Sequence, residues 1–171
     1  NLQFPTKEVT KEMANPRNGS WIKMKKLARY ISGCKRLVWR FGWQEECPEA
    51  VVYTDSDWGG TSRDRKSTSG GAWIIGGHCI QTWSVSQGAY ALSSAEAELY
   101  AMVEGATRAK GLVSLARELG FVGLSPGIAL GTDSSAAKSF VSRRGLGRMR
   151  HIEIRDLWLQ KEVAEGKITV F

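Results

Sequence analysis

Three stretches of this chain carry acids in settings that could do chemistry. Val51-Val52-Tyr53-Thr54-Asp55-Ser56-Asp57-Trp58-Gly59-Gly60 opens on β-branched and aromatic residues, which suit a mostly buried strand, and ends on carboxylates beside glycines. Strand side chains alternate, so Val51, Tyr53, Asp55 and Asp57 share a face. Gly127-Ile128-Ala129-Leu130-Gly131-Thr132-Asp133 is a second short apolar run that ends in an acid. Between them, Ser93-Ser94-Ala95-Glu96-Ala97-Glu98 opens a long helical pattern. Residues i and i+2 are about 200° apart on a helix, so one of Glu96 and Glu98 points out and the other inward. Glu98 falls within the apolar stripe and is the one expected to point inward. Taken singly, Asp55 could start a turn and Glu98 could reach water from the edge of its stripe. Taken together, an acid on a strand, a helix and a second strand form an all-oxygen set that needs a cation and suits Mg²⁺ or Mn²⁺. Two such ions about 4 Å apart can activate a water and stabilise the leaving oxygen of a phosphodiester.

The elements that must position these acids are legible from period and punctuation. Residues 51–57 form the first strand. Ala72-Trp73-Ile74-Ile75 resumes a strand after Gly70-Gly71, Gly76-Gly77 is a hairpin turn, and residues 78–85 return, so three strands make an antiparallel meander. Ser93 and Ser94 cap a helix over 95–119, stopped by Gly120, with Ala95, Leu99, Met102, Ala106, Ala109, Val113 and Ala116 on one side. The order strand, helix, strand then implies a parallel crossover that brings Asp133 to the sheet edge of Asp55, where active sites of such sheets gather. Helices are expected over 136–143 and 152–165, and a last strand over 167–171. Ahead of the sheet, residues 1–48 read as a separate segment: a helix over 6–14, a breaker cluster at Asn15-Pro16-Arg17-Asn18-Gly19, a helix over 21–32 capped by Ser20, a strand over 37–41, and a linker at Glu45-Glu46-Cys47-Pro48. The main domain is expected over 49–171.

Of 171 residues, 42% are hydrophobic and 24% charged, which fits a soluble globular chain with a real core. No apolar run approaches the roughly 20 residues needed to span a bilayer. Cys34, Cys47 and Cys79 are too few and too scattered for a disulfide framework or a zinc site, and read as reduced thiols inside the cell. The net charge of +7 is uneven, with ten Lys or Arg against four acids in residues 1–46. A basic arm on a near-neutral domain suggests an anionic partner such as nucleic acid; a solvated helix face is the alternative.

Tyr53-Thr54-Asp55-Ser56-Asp57-Trp58, Arg65-Lys66-Ser67-Thr68-Ser69-Gly70-Gly71, Ala91-Leu92-Ser93-Ser94-Ala95-Glu96-Ala97-Glu98-Leu99-Tyr100-Ala101, Thr132-Asp133-Ser134-Ser135-Ala136-Ala137 and Arg150-His151-Ile152-Glu153-Ile154-Arg155 occur in this order. Together they resemble the RNase H domain of copia-type LTR retrotransposon Pol polyproteins, and residues 1–46 resemble the end of the reverse transcriptase region and its connection. The resemblance implies an RNase H-like α/β fold: a five-stranded mixed sheet with helices on both sides. It implies two-metal-ion endonucleolytic hydrolysis of the RNA strand of RNA–DNA hybrids during reverse transcription, with Mg²⁺ or Mn²⁺ as cofactor. Asp55, Glu98 and Asp133 then match the first three of the family's four metal-binding acids.

Its implied partners are the hybrid and the reverse transcriptase region of the same polyprotein, with no membrane. Its implied location is intracellular, in a cytoplasmic particle or the nucleus, and not secreted. Arg63, Arg65 and Lys66 could bind phosphates, and Gln87, Ser93, Ser94 and Ser135 sit beside the acids and could reach sugar hydroxyls or groove edges. For the serines, capping is the competing role. The family's fourth acid normally follows the last strand, on a helix that this chain stops short of. That departure suggests a fragment of a longer polyprotein or a decayed copy, with Asp57, Glu153 or Asp156 as possible substitutes. The alternative function is a catalytically inactive nucleic-acid-binding remnant. His151 is expected to pack or cap rather than catalyse, and the tryptophans to serve core and hairpin packing.

Overall fold

The computed structural model describes residues 2–45, 49–60, 65–120, 127–147 and 151–171. They fall into two compact units, residues 1–43 and 44–171. The first unit holds helices α1 (Gln3–Thr10) and α2 (Asn18–Gly33). Glu12 joins them, accepting the Ser20 hydroxyl and the Lys23 ammonium, the latter at 2.9 Å. Ser20 lies inside the helix rather than capping it: α2 starts at Asn18, and the Ser20 hydroxyl reaches back to accept the Arg17 N–H at 3.0 Å. The expected strand over 37–41 does not form. Among the described residues no strand pairs with it, and its alternating Leu37, Trp39 and Phe41 are exposed. The apolar stripe of α2 is likewise exposed at Trp21, Met24 and Ile31.

In the second unit, the strands are β1 (Ala50–Asp57), β2 (Thr68–Ile75), β3 (His78–Ser86), β4 (Ile128–Gly131) and β5 (Ile168–Val170). Among the described residues they form one mixed sheet of order β3-β2-β1-β4-β5. The meander is antiparallel, while β4 pairs parallel to both β1 and β5. This is the five-stranded mixed arrangement that the resemblance implies. Helices α3 (Ser94–Glu118), α4 (Ser135–Val141) and α5 (Trp158–Ala164) complete the unit, with a 3-10 turn at Ile154–Asp156. The long helix expected over 152–165 is therefore split, with Leu157 between the turn and the helix.

The core lies against one face of the sheet. Ala50, Val52, Trp73, Trp83, Ile128, Leu130 and Ile168 point into it, met by Leu99, Met102 and Ala106 of α3, Phe140 of α4 and Leu159 of α5. β1 was expected to be mostly buried; it is buried along one face only. Ala50, Val52 and Thr54 are buried, whereas Tyr53, Asp55 and Asp57 are exposed. The reason is that all three helices of this unit pack on the even-numbered side. The odd-numbered side carries Tyr53 and Phe171, whose rings meet edge-on at 5.9 Å.

Gly105 sets how closely α3 approaches β1. A Cβ there would stand 2.3 Å from Thr54 Cγ2 and 3.3 Å from Val52 Cγ1. Gly105→Ala is therefore expected to destabilise the fold by about 1–3 kcal/mol through overpacking, although alanine is the better helix former. Gly111, on the same helix, has nothing within 4 Å of its added Cβ. Gly111→Ala is expected to stabilise by about 0.5–1 kcal/mol. Urea denaturation of the two variants reads the opposite signs; like signs would contradict the close approach.

Candidate metal centre

The parallel pairing of β1 with β4 sets Tyr53 beside Gly131. Two residues further along each chain, on the same side, stand Asp55 and Asp133. Glu98 reaches the same edge from the first turns of α3, where Ser93 caps the helix by accepting the Glu96 N–H at 3.2 Å. Beyond β4 the chain turns sharply: Thr132 Oγ1 accepts the Ser134 N–H, and Ser134 caps α4 through the Ala137 N–H. One carboxylate oxygen from each of Asp55, Glu98 and Asp133 lies within 4.8 Å of the other two. Asp57, the third acid weighed near the strand end, is occupied elsewhere. Its Oδ1 accepts the N–H groups of Gly60 and Thr68, each at 3.3 Å.

Glu98 is 8% exposed, and its two oxygens are treated differently. Oε1 accepts the Ser56 N–H at 3.1 Å and the Ser56 hydroxyl at 2.7 Å. Oε2 is buried and has no hydrogen-bond partner among the described residues. Burial pushes the Glu98 carboxyl above the ordinary range; the Ser56 hydrogen bonds oppose this, and the charges of Asp55 and Asp133 add to it. A buried carboxylate oxygen without a partner, facing two more acids, fits a hard divalent cation better than it fits an ion-free structure.

Glu96 departs from expectation. It was placed on the outward side, yet it is 1% exposed and more buried than Glu98. Its Oε2 accepts the Leu92 N–H at 2.8 Å, its Oε1 accepts the Tyr100 hydroxyl at 2.8 Å, and the His151 Nε2 lies 2.8 Å from Oε2. Burial pushes this carboxyl up, but the bonds from His151, Tyr100 and Leu92, with the His151 charge, outweigh it and hold it below the ordinary range. Tyr100 is pushed well up, by burial and then by Glu96. The sequence signal was Ser93-x-x-Glu96, the capping-box spacing that turns a third-position carboxylate back onto the chain entering the helix. His151 is thus a partner of that carboxylate from across the fold.

The remaining candidates are scattered in role. Gln87 is buried; its amide nitrogen donates to Ser69 Oγ at 2.9 Å and the Ala97 carbonyl at 2.8 Å, joining β2 to α3, while its Oε1 has no hydrogen-bond partner among the described residues. Ser93 serves as a cap, while Ser94 and Ser135 are exposed at the starts of their helices. Arg65 is exposed at φ +49°, and Lys66 donates to the Gly88 carbonyl at 3.4 Å. Arg63 lies outside the described residues.

No family model matches the chain. The "Retrovirus-related Pol polyprotein from transposon TNT 1-94" of Nicotiana tabacum is 29% identical over 164 residues, covering 95% of this chain and 12% of that protein. The Pol polyprotein from transposon RE2 of Arabidopsis thaliana is 25% identical over 171 residues, covering 99% of this chain and again 12% of its own length. The chain is a homologue of retrovirus-related Pol polyproteins from plant copia-type transposons. The homology runs through the basic helical segment and the sheet domain alike, and this Pol-like chain spans 12% of the length of those relatives. Among solved structures, RNase H1 of the halophilic archaeon Halobacterium salinarum NRC-1 is similar at 14% identity, over 72% of this chain and 83% of that one, with a TM-score of 0.46.

Glu98, with its raised folded value, adds stability only below its unfolded value and loses it as pH rises through the folded one. In ion-free buffer at pH 7, Glu98→Gln is therefore expected to be more stable than the parent by about 1 kcal/mol, or some 2–4 °C in Tm. Mg²⁺ is expected to raise the Tm of the parent and leave the variant unmoved. Thermal melts in EDTA and in Mg²⁺ read both; a variant that melts lower in EDTA, or gains equally from the ion, contradicts the repelling cluster.

Proposed function

We propose that the sheet domain is a metal-dependent ribonuclease of the RNase H type, cutting the RNA strand of RNA–DNA hybrids within a retrotransposon Pol polyprotein. The observation that carries this reading is the unpartnered, buried Glu98 Oε2 set among three mutually close carboxylates in a homologue of Pol polyproteins. Asp55, Glu98 and Asp133 would hold the ions, all through oxygen, which favours Mg²⁺ or Mn²⁺. When bound, such ions supply an activated water and a stabilised leaving oxygen for phosphodiester hydrolysis. The chain's own part is positioning. Ser56 fixes Glu98 through two hydrogen bonds, and the β1–β4 register and the Ser134 cap fix the two aspartates. Exposed Arg65, Ser94 and Ser135 are the side chains that could meet phosphates and sugar hydroxyls.

One observation favours a second reading, in which the domain binds hybrids without cutting them. Among the described residues, three acids gather in the cluster. Of the proposed substitutes, Asp57 is committed to the Gly60 and Thr68 N–H groups, and neither Glu153 nor Asp156 joins the cluster.

Cleavage of a labelled RNA–DNA hybrid in Mg²⁺ or Mn²⁺ separates the two. The parent chain is expected to cut the RNA strand, and Asp55→Asn to lose at least about 100-fold in rate, the several kcal/mol that a misplaced ion represents. Salt-sensitive binding with no cleavage by either chain would favour the second reading. Neither binding nor cleavage would sink both.

A further inference from the structure

Just past the end of β1, the chain presents an aromatic surface that the acid cluster does not use. Trp58 stands three residues after Asp55 and is 56% exposed. Its indole Nε1, the ring's one polar atom, already donates to the Ala91 carbonyl at 3.1 Å. What the side chain offers to solvent is therefore an apolar ring. Among the described neighbours, Asp57 Oδ1 accepts the Gly60 and Thr68 N–H groups, each at 3.3 Å, and Ser67 Oγ accepts the Gly59 N–H at 3.1 Å. On the opposing segment, next to Ala91, Tyr90 is 58% exposed. Lys66 Nζ lies 5.4 Å from the Tyr90 ring centroid and 3.4 Å from the Gly88 carbonyl.

A large exposed ring pinned at its edge is already ordered in the geometry of contact, so little freedom is lost when something stacks on it. One pinned ring at Trp58, and a second exposed ring at Tyr90 with an ammonium over it, match one chemistry well: bases stacked on aromatic faces, with a phosphate beside the cation.

We infer that Trp58 and Tyr90, with Lys66, form a nucleotide-stacking subsite that takes unpaired nucleotides of a single strand alongside the acidic cluster. The subsite goes beyond hydrolysis of a paired hybrid, because base faces are open to stacking only where the strand is unpaired. Its specificity is for single-stranded character rather than for sequence, since every base has a face to stack. The ring stacking is insensitive to salt, and the Lys66 contact is not.

The test uses the full chain and a fluorescein-labelled oligothymidylate in EDTA, read by anisotropy over a range of salt. Trp58→Ala and Tyr90→Ala are each expected to weaken binding about tenfold, with the slope of log affinity against log salt unchanged. Trp58→Phe, which keeps a ring but not the donor, is expected to recover most of the Trp58→Ala loss. Lys66→Ala is expected to flatten the slope by about 0.7. Equal affinity of Trp58→Ala and the parent, or Trp58→Phe no better than Trp58→Ala, overturns the subsite. No ion is present, so the outcome is independent of cleavage. A chain that binds the oligonucleotide in this pattern but cuts no hybrid leaves the subsite standing and removes the ribonuclease reading. A chain that cuts hybrid while Trp58→Ala binds like the parent does the reverse.

Discussion

Three carboxylates held within 4.8 Å of one another are the constraint on which the rest of the domain turns. Like charges at that spacing repel, and solvent alone does not gather them. The sheet does so through register: parallel pairing of Tyr53 with Gly131 obliges Asp55 and Asp133 to leave the strand ends side by side. The helix does so through packing, because Gly105 lets α3 lie close on Thr54 and Val52, and Ser56 then fixes Glu98. The core of Val52, Leu99, Met102 and Leu130 resists the repulsion that these acids impose when no ion is bound.

Glu96 and Glu98 show how two identical side chains two positions apart divide a structural and a chemical role. Both are buried, but Glu96 is saturated by Leu92, Tyr100 and His151, while Glu98 has one oxygen satisfied and one bare. Their carboxyls accordingly shift in opposite directions, Glu96 down and Glu98 up. A group whose charge is fully solvated by the protein stabilises the fold and has nothing left to offer a ligand. A group whose charge is only half solvated is held at a cost that a cation relieves. Glu96 also ties the start of α3 to His151, so the helix that carries Glu98 is anchored from across the fold.

Much of this was legible in the sequence because it is local. Period-two runs bounded by glycines gave β1, β2, β3 and the Gly76-Gly77 turn, and the apolar stripe with its serine caps gave α3. Asp55, Glu98 and Asp133 could be brought to one edge because a strand–helix–strand order leaves little choice of topology. What was misread depended on partners far away in the chain. The 37–41 run alternates correctly but finds no strand to pair with, and period alone does not supply one. β1 was read as mostly buried, yet Tyr53, Asp55 and Asp57 lie open, since which side the helices cover is a property of the whole sheet. Gln87 and Glu96 are polar residues drawn inward in part by Ser69 and His151, 18 and 55 residues away along the chain.

The electrostatics of the sheet domain carry one further consequence. A cluster of three acids is a poor place to receive a polyanion, so a nucleic acid brought to it must be held by something other than its attraction to the site. Part of that hold is cationic, and Lys66 lies on the rim through its contacts with Tyr90 and Gly88. Salt screens that part over roughly 8 Å at physiological ionic strength. Aromatic faces have no such dependence. Exposed rings at Trp58 and Tyr90 offer affinity that neither salt nor the negative field of Asp55, Glu98 and Asp133 removes. If a nucleic acid binds here, the pinned indole of the inferred subsite would answer a difficulty that the acid cluster itself creates: how to keep a strand close to carboxylates that repel it when no ion is bound.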